Sequence, residues 1–173
     1  MINMFSQLFK NTLYFRISSD WISVRLIEQK RELSDSPFVA FDEKKGIIAI
    51  GAEAQKFMDQ QNNGIQVLNA FDHPRTIFGS FNVEAATMRY LISKVMSKKI
   101  FVRPIMVLHP KYRFEGGLTQ IELRALRDLG ESAGARLVYI WIGRDLLDDE
   151  LSKCRFPKQE GALVKVVNDR GHG

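Results

Sequence analysis

The side chains able to do chemistry are few in this chain and poorly grouped for it. The three histidines, His73, His109 and His172, are scattered with no spacing that would let them share a metal ion. His109 closes the run PIMVLHP, where it can line a site or serve as a polar strand terminus. The single cysteine, Cys154, excludes an internal disulfide framework and a cysteine-based zinc site. Its neighbours Lys153 and Arg155 favour a thiolate, but no partner base stands nearby, so it reads as a free thiol. Asp148 to Glu150 reads as a solvated helix face, and the glycines nowhere form a Walker-type loop. Thr119 and Glu122 stand three apart, ahead of an apolar-periodic stretch. That is the pattern of a capping box, in which the threonine oxygen takes a first-turn amide and the glutamate reaches back.

The cations are more suggestive. The chain carries 25 basic and 20 acidic residues, a net charge of +5. Between Glu84 and Glu115 there is no acid, while Arg89, Lys94, Lys98, Lys99, Arg103, Lys111 and Arg113 all occur. Such a span suits phosphates, nucleic acid or anionic lipid. The preferred interpretation is a solvated helix end, because Lys94, Lys98 and Lys99 fall where cations favour a helix C-terminus.

These residues need elements to position them. The length of 173 residues suits one ordinary domain with a sizeable core, and 45% hydrophobic against 26% charged residues is a globular balance. No run reaches the roughly 20 apolar residues of a membrane span. The start, MINMFSQLFKN, is too short and weakly basic for a secretory signal. Met4, Phe5, Leu8 and Phe9 recur at near-helical spacing, so it suits either a surface amphipathic helix on a membrane or a segment docked on the domain.

TLYFRI (12–17) and ISVRLI (22–27) read as a hairpin joined by SSDW. A third strand is expected at Phe38 to Phe41, a fourth at IIAIG, and then a short helix over AEAQKFMD, all in an antiparallel or mixed sheet. Asn82 caps a helix reaching about Ser97, with Val83, Met88, Leu91, Ile92, Val95 and Met96 as its apolar stripe. PIMVLHP is continuous enough for a buried parallel strand. The capping box then opens a helix that buries Ile121, Ala125, Leu126, Leu129 and Ala133 and stops at Gly134. RLVYIWI is apolar on both faces and is expected to be central. A short helix in DLLDDELSKC and a last strand, GALVKVV, complete the order.

GLTQIELRALRDLGESAGARLVYI (117–140) closely resembles a segment of the bacterial actin-like rod-shape proteins of the MreB type, which reads G-x-T-x-V-E-R-R-A-x-x-E-x-x-x-x-A-G-A-R-x-V-x-L-I. Weaker likenesses follow in collinear order: the N-terminal stretch, SPFVAFD, IAIGAEAQKFM, FGSFNVEAATMRYLISKV and GALVKVVNDRGHG. The resemblance implies an α/β fold, a mixed sheet with flanking helices of the ribonuclease H-like, actin-like ATPase half-domain kind. It covers the first half only of such a protein. The organisation it implies is a possible amphipathic segment at 1–11, one half-domain over 12–167 and a flexible tail at 168–173.

The family binds ATP between two halves, each with a glycine-containing turn and a magnesium-organising aspartate. The first turn, D-L-G-T-A-N-T in the family, here reads RISSDWI. Arg16 stands at the aspartate position, Ser18 at the glycine, and Trp21 and Ile22 at the last polar positions. Ser19 and Asp20 complete a degenerate turn, in which Asp20 is four positions out of register. An arginine puts a cation where the metal needs an anion, and a serine costs close backbone approach. The second turn begins with Asn168 in place of aspartate. The insertion KYRFEG follows Pro110, and WIGRD replaces the family's glutamate pair. Glu122 matches the family glutamate thought to position the hydrolytic water, and Thr119 the threonine before it. Without phosphate cradle or metal aspartate, Glu122 is expected to be a helix cap.

The expected function is therefore non-catalytic: an actin-like half-domain acting by protein–protein contact in a cytoskeletal, cell-shape or membrane-associated assembly. No ATPase activity, no cofactor and no metal are expected. The expected partner is a protein, such as an actin-like filament, with homo-oligomerisation and peripheral membrane contact at the inner face of the cytoplasmic membrane also considered, and no specific nucleic acid. The competing readings are an ATP-hydrolysing enzyme completed by a second chain, and a binder of nucleic acid or anionic lipid through the basic span.

Overall fold

The computed structural model describes residues 10–59, 64–72, 81–96, 102–111 and 117–164. Two sheets account for the strands. The larger has six, in the order β3 (Arg31–Asp35), β2 (Ile22–Leu26), β1 (Thr12–Ile17), β7 (Ile105–Pro110), β8 (Leu137–Gly143) and β9 (Gly161–Val164). The first three strands are antiparallel neighbours, β1, β7 and β8 run parallel, and β9 closes the far edge antiparallel. The smaller sheet has β4 (Phe38–Asp42) between β5 (Gly46–Ile50) and β6 (Ile65–Asn69), both antiparallel to it. Helices α1 (Ala52–Gln55), α2 (Phe81–Val95), α3 (Gln120–Ser132) and α4 (Asp148–Lys153) complete the order.

Alternation along β1 divides the core in two. Leu13, Phe15 and Ile17 face a cluster with Met88 and Leu91 of α2 and Leu123, Leu126 and Leu129 of α3. Tyr14 faces the other side, with Val107, Trp141, Leu146 and Leu151. β7 is buried at every position, as its uninterrupted apolar run requires of a strand covered on both faces. Each fully buried aliphatic side chain here contributes roughly 1.5–3 kcal/mol of transfer free energy, which is why the apolar runs, and not local propensity, set these strands.

Several expectations are corrected. β3 and β6 were not anticipated: RELSD holds one aliphatic residue, half-buried Leu33, and IQVLN alternates half-buried with exposed positions. Instead of one opening sheet there are two, and the hairpin gains its third strand before β4 begins. Asn82 lies within the first turn of α2, after Phe81, and does not precede it. Ile121 is 64% exposed; the inward face of α3 is made by Glu122, Leu123, Ala125, Leu126, Leu129 and Gly130. β8 is the strand next to the edge, and its first residue, Leu137, is 42% exposed.

One joint ties the two sheets. Asp35, the last residue of β3, accepts on Oδ1 from the amides of Ser36 (2.8 Å) and Ala52 (2.7 Å), the latter at the start of α1. Gly51 makes this approach feasible. Its φ is +77°, and an added Cβ would lie 2.1 Å from Asp35 Oδ2.

Candidate functional site

The carboxyl ends of β1, β7 and β8 carry the densest set of interacting polar side chains among the described residues. The register explains why they meet. Arg16 lies opposite Ser23 on one side and His109 on the other, and Tyr14, two residues earlier, points to the same face. The segment after β8 brings Asp145 over them.

Arg16 bonds through all three of its nitrogens. Its Nε donates to Ser23 Oγ (3.1 Å), Nη1 to Asp145 Oδ2 (3.0 Å) and Nη2 to Glu32 Oε1 (2.8 Å). The guanidinium also lies 5.4 Å from the centre of the Trp21 ring. Lys111 Nζ donates to the second oxygen of Asp145 (3.0 Å). Burial raises the Asp145 pKa, but hydrogen bonds from Lys111 and Arg16 outweigh it and hold the carboxyl below its ordinary value. Arg16 and Lys111 thus have their charge taken up by carboxylates of the same chain.

Below this lies a buried chain of hydrogen bonds. His109 is 1% exposed; its Nε2 is 3.0 Å from the Gly143 carbonyl and its Nδ1 2.6 Å from Tyr14 Oη. A carbonyl only accepts, so Nε2 carries the proton and Nδ1 accepts from the phenol. The Tyr14 oxygen accepts in turn from the Leu146 amide (3.2 Å). Burial pushes the Tyr14 pKa up to about 12 and lowers that of His109 to about 4, the nearby Lys111 adding to the latter effect. Both groups are neutral near pH 7.

The turn after β1 closes on itself. The Ser18 amide donates to the Trp21 carbonyl (2.9 Å), Ser18 Oγ accepts from the Asp20 amide (3.4 Å), and Ser19 Oγ donates to Asp20 Oδ1 (3.4 Å). Asn69, from the smaller sheet, donates its Nδ2 to the Ser19 carbonyl (2.7 Å). Nearby, Arg144 bridges Glu150 and Glu160, which raises its own pKa and lowers that of Glu150.

The capping box forms at the start of α3. Thr119 Oγ1 accepts from the Glu122 amide (3.3 Å), and Glu122 Oε2 accepts from the Thr119 amide (2.7 Å) and hydroxyl (2.8 Å). Of the basic span, the described members take separate places. Lys94 lies 5.1 Å from the Tyr90 ring centre, Arg103 donates to the carbonyls of Gly134 and Ala135, and Lys111 belongs to the Asp145 cluster. Lys98, Lys99 and Arg113 lie outside the described residues, as do Met4, Phe5, Leu8, Phe9, Asn168, His73 and His172. Cys154, at the end of α4, is half-buried, with Lys10 Nζ 3.4 Å from its sulfur.

The sequence pointed to Arg16, Ser18, Ser19 and Asp20 but missed Glu32, Tyr14, Asn69 and Asp145. Asp145 had one visible signal, the charged RD after β8 where apolar residues stop. Glu32 and Asn69 had none, because each lies on an unanticipated strand.

A nucleotide with its magnesium ion does not fit this donor set. Arg16 and Lys111 set two cations among these carboxylates, and Glu32 and Asp145 are already paired with them. Among the described residues, no group of three His, Cys, Asp or Glu could hold a metal ion. Arg16→Asp would set a third carboxylate beside Glu32 and Asp145. We expect it to destabilise the fold by about 2 kcal/mol, discounted for the partial exposure of all three groups, measured by urea unfolding.

A mixed sheet of this order, with helices on its faces, defines an actin-like fold. The chain belongs to the MreB/Mbl protein family, which it matches over residues 28–143. It is 24% identical over 109 residues to the cell shape-determining protein Mbl of Bacillus subtilis (strain 168), covering 62% of this chain and 31% of that protein. Among solved structures, MreB 5 of Spiroplasma citri bound to AMPPNP is similar with a TM-score of 0.63 and 17% identity, over 76% of this chain and 38% of that one. A non-polymerising mutant of MamK bound to AMPPNP gives 0.59 and 8%, over 77% and 40%. These two show the fold alone. The chain spans about a third of the length of the curated relative it matches.

Proposed function

We propose that this chain is a non-catalytic member of its family that works by protein–protein contact in a cell-shape or cytoskeletal assembly. The observation that carries this reading is the state of Arg16. It stands where the resemblance places a magnesium-organising aspartate, and each of its three nitrogens donates to a side chain, Ser23, Asp145 or Glu32. Binding a magnesium nucleotide there requires breaking those pairs and bringing a metal ion next to a guanidinium. Each step is unfavourable.

Contact with another protein has support at the same end of the sheet. Ile121 at the start of α3 and Leu147 at the start of α4 are 64% and 63% exposed. Large aliphatic side chains so placed suit a covering surface, from a second copy, a filament subunit or further chain of the actin-like type. In this reading residues 12–167 act as one unit. The amphipathic residues Met4, Phe5, Leu8 and Phe9 give peripheral contact with the inner face of the membrane, and the protein works in the cytoplasm. Among the described residues no helix is long and apolar enough to cross a membrane.

Isothermal titration with ATP and magnesium tests the proposal. The expected result is no magnesium-dependent binding and no turnover, and micromolar affinity would overturn it. Glu122→Ala separates cap from catalyst. As a cap it lowers stability by about 1 kcal/mol; as a catalyst it would remove turnover that appears when a second chain is added.

A further inference from the structure

The opposite end of the large sheet carries charge of another kind. There Arg31 pairs with Leu26 and Leu26 with Leu13, and one position further along Thr12 pairs with Ile105 and Ile105 with Leu137, so the starts of β1, β3, β7 and β8 lie at one end with the end of β2. Both long helices end here. Arg31 Nη1 donates to the carbonyl of Val95, the last residue of α2 (3.4 Å), and Ser132 ends α3 shortly before Leu137.

A helix C-terminus presents roughly half a negative charge, and arginines answer it at this end. Arg89 Nη1 donates to the Ser132 carbonyl (3.0 Å); Arg103 donates from Nε to Gly134 (3.2 Å) and from Nη2 to Ala135 (2.7 Å). Lys94 and Arg136 are exposed beside them. Carboxylates near this end include Glu28, which accepts from the amide and hydroxyl of Thr12, and Glu131 and Asp128, 3.6 and 3.3 Å from the Arg127 guanidinium. Two helix ends offset about one unit of charge, so the end keeps a positive balance of about two units. Leu137 is exposed at the same end.

We propose that this end docks an acidic segment of a partner protein, a run of Asp and Glu with an apolar side chain set against Leu137. Arg31, Arg89 and Arg103 are already held by backbone carbonyls. They lose little freedom on binding and present fixed N–H groups, which suits directed pairing with carboxylates. An apolar centre inside a charged rim is also the anatomy of a protein interface. Nucleic acid suits it less, because Lys94 covers the Tyr90 ring and Tyr139 packs on Phe156, leaving neither ring free to stack a base. A lipid surface suits it less, because Leu137 is the large exposed apolar side chain of this end among the described residues. The class of partner rests on the protein-contact reading above.

The test is fluorescence anisotropy with a labelled short peptide of Glu and Asp around one Leu, using the full chain. Binding is expected to weaken with salt. The double variant Arg136→Glu, Lys94→Glu should lower affinity roughly tenfold, the sum of two charge pairs. Neither side chain holds a backbone carbonyl among the described residues, and a thermal melt confirms folding. Arg124→Glu with Lys158→Glu, at the other end, should leave affinity unchanged. Equal loss in both double variants would overturn the proposal. So would wild-type binding to phosphatidylcholine–phosphatidylglycerol vesicles or to a single-stranded DNA oligonucleotide without binding to the peptide. Failure here leaves the ATP titration, and the non-catalytic reading, untouched.

Discussion

Trp141→Ala should lower the stability of this protein by about 3–5 kcal/mol and its melting temperature on the order of 10 °C. Trp141 is fully buried on the Tyr14 side of the sheet and packs against Phe156, with ring centroids 5.8 Å apart. Its Nε1 donates to the Arg144 carbonyl (2.8 Å), so the indole also fixes the segment that carries Asp145. The neighbouring backbone is shaped to it. A Cβ on Gly161 would stand 2.3 Å from Trp141 Cζ2, and one on Gly143 2.8 Å from the same atom. No side chain can move into the vacated space from those two glycines, so little of the cavity can collapse. Differential scanning calorimetry measures the loss. A drop below about 1 kcal/mol would mean that the Trp141 indole does not hold the 144–160 segment in place.

The second large effect is on pH. His109 has its pKa lowered by burial to about 4 in the folded chain, against an ordinary value of 6.5. Between those values the unfolded chain takes up a proton that the folded chain refuses. Stability therefore falls as pH drops from about 6.5 to about 4, and His109 contributes a loss of up to about 3 kcal/mol. Burial sets the sign, and the groups around the ring adjust it. Lys111 and Arg16 oppose a positive imidazole, and Asp145, 3.7 Å from Nδ1, favours it. A protonated Nδ1 also ceases to accept from Tyr14. His109→Gln should flatten the slope of urea midpoints across that window, while the carboxylates held low, Asp42, Asp145 and Glu150, act at its lower edge and below, as pH falls past their ordinary values. If both proteins show the same slope, the histidine contributes nothing to it.

Much of the frame could be read from residue pattern because apolar runs decide it. The uniform burial of β7 follows from PIMVLHP, and the capping box follows from two residues at the right spacing. The smaller sheet was half hidden, since β6 shows the alternation of a half-exposed strand with a mixed polar face. β3 was hidden by composition. Its pairing is fixed by β2 and by where its charges end up, and only long-range geometry brings Glu32 to Arg16. The polar cluster was legible at Arg16, through the family pattern it breaks, and in outline at His109 and Lys111, which end and follow an apolar run. Glu32 comes from β3 and Asp145 from the segment after β8, and no local spacing could have joined them.

The pairing of β1 with β7 has a consequence for how the molecule is built. The first three strands can form as a local meander soon after they are made. The central strand gains its parallel neighbour only when Ile105 meets Thr12, with the whole smaller sheet and α2 lying between them in sequence. Closing so long a loop is entropically costly and slow. During synthesis, then, one edge of β1 waits unpaired and apolar, a template for pairing with another nascent chain until β7 arrives.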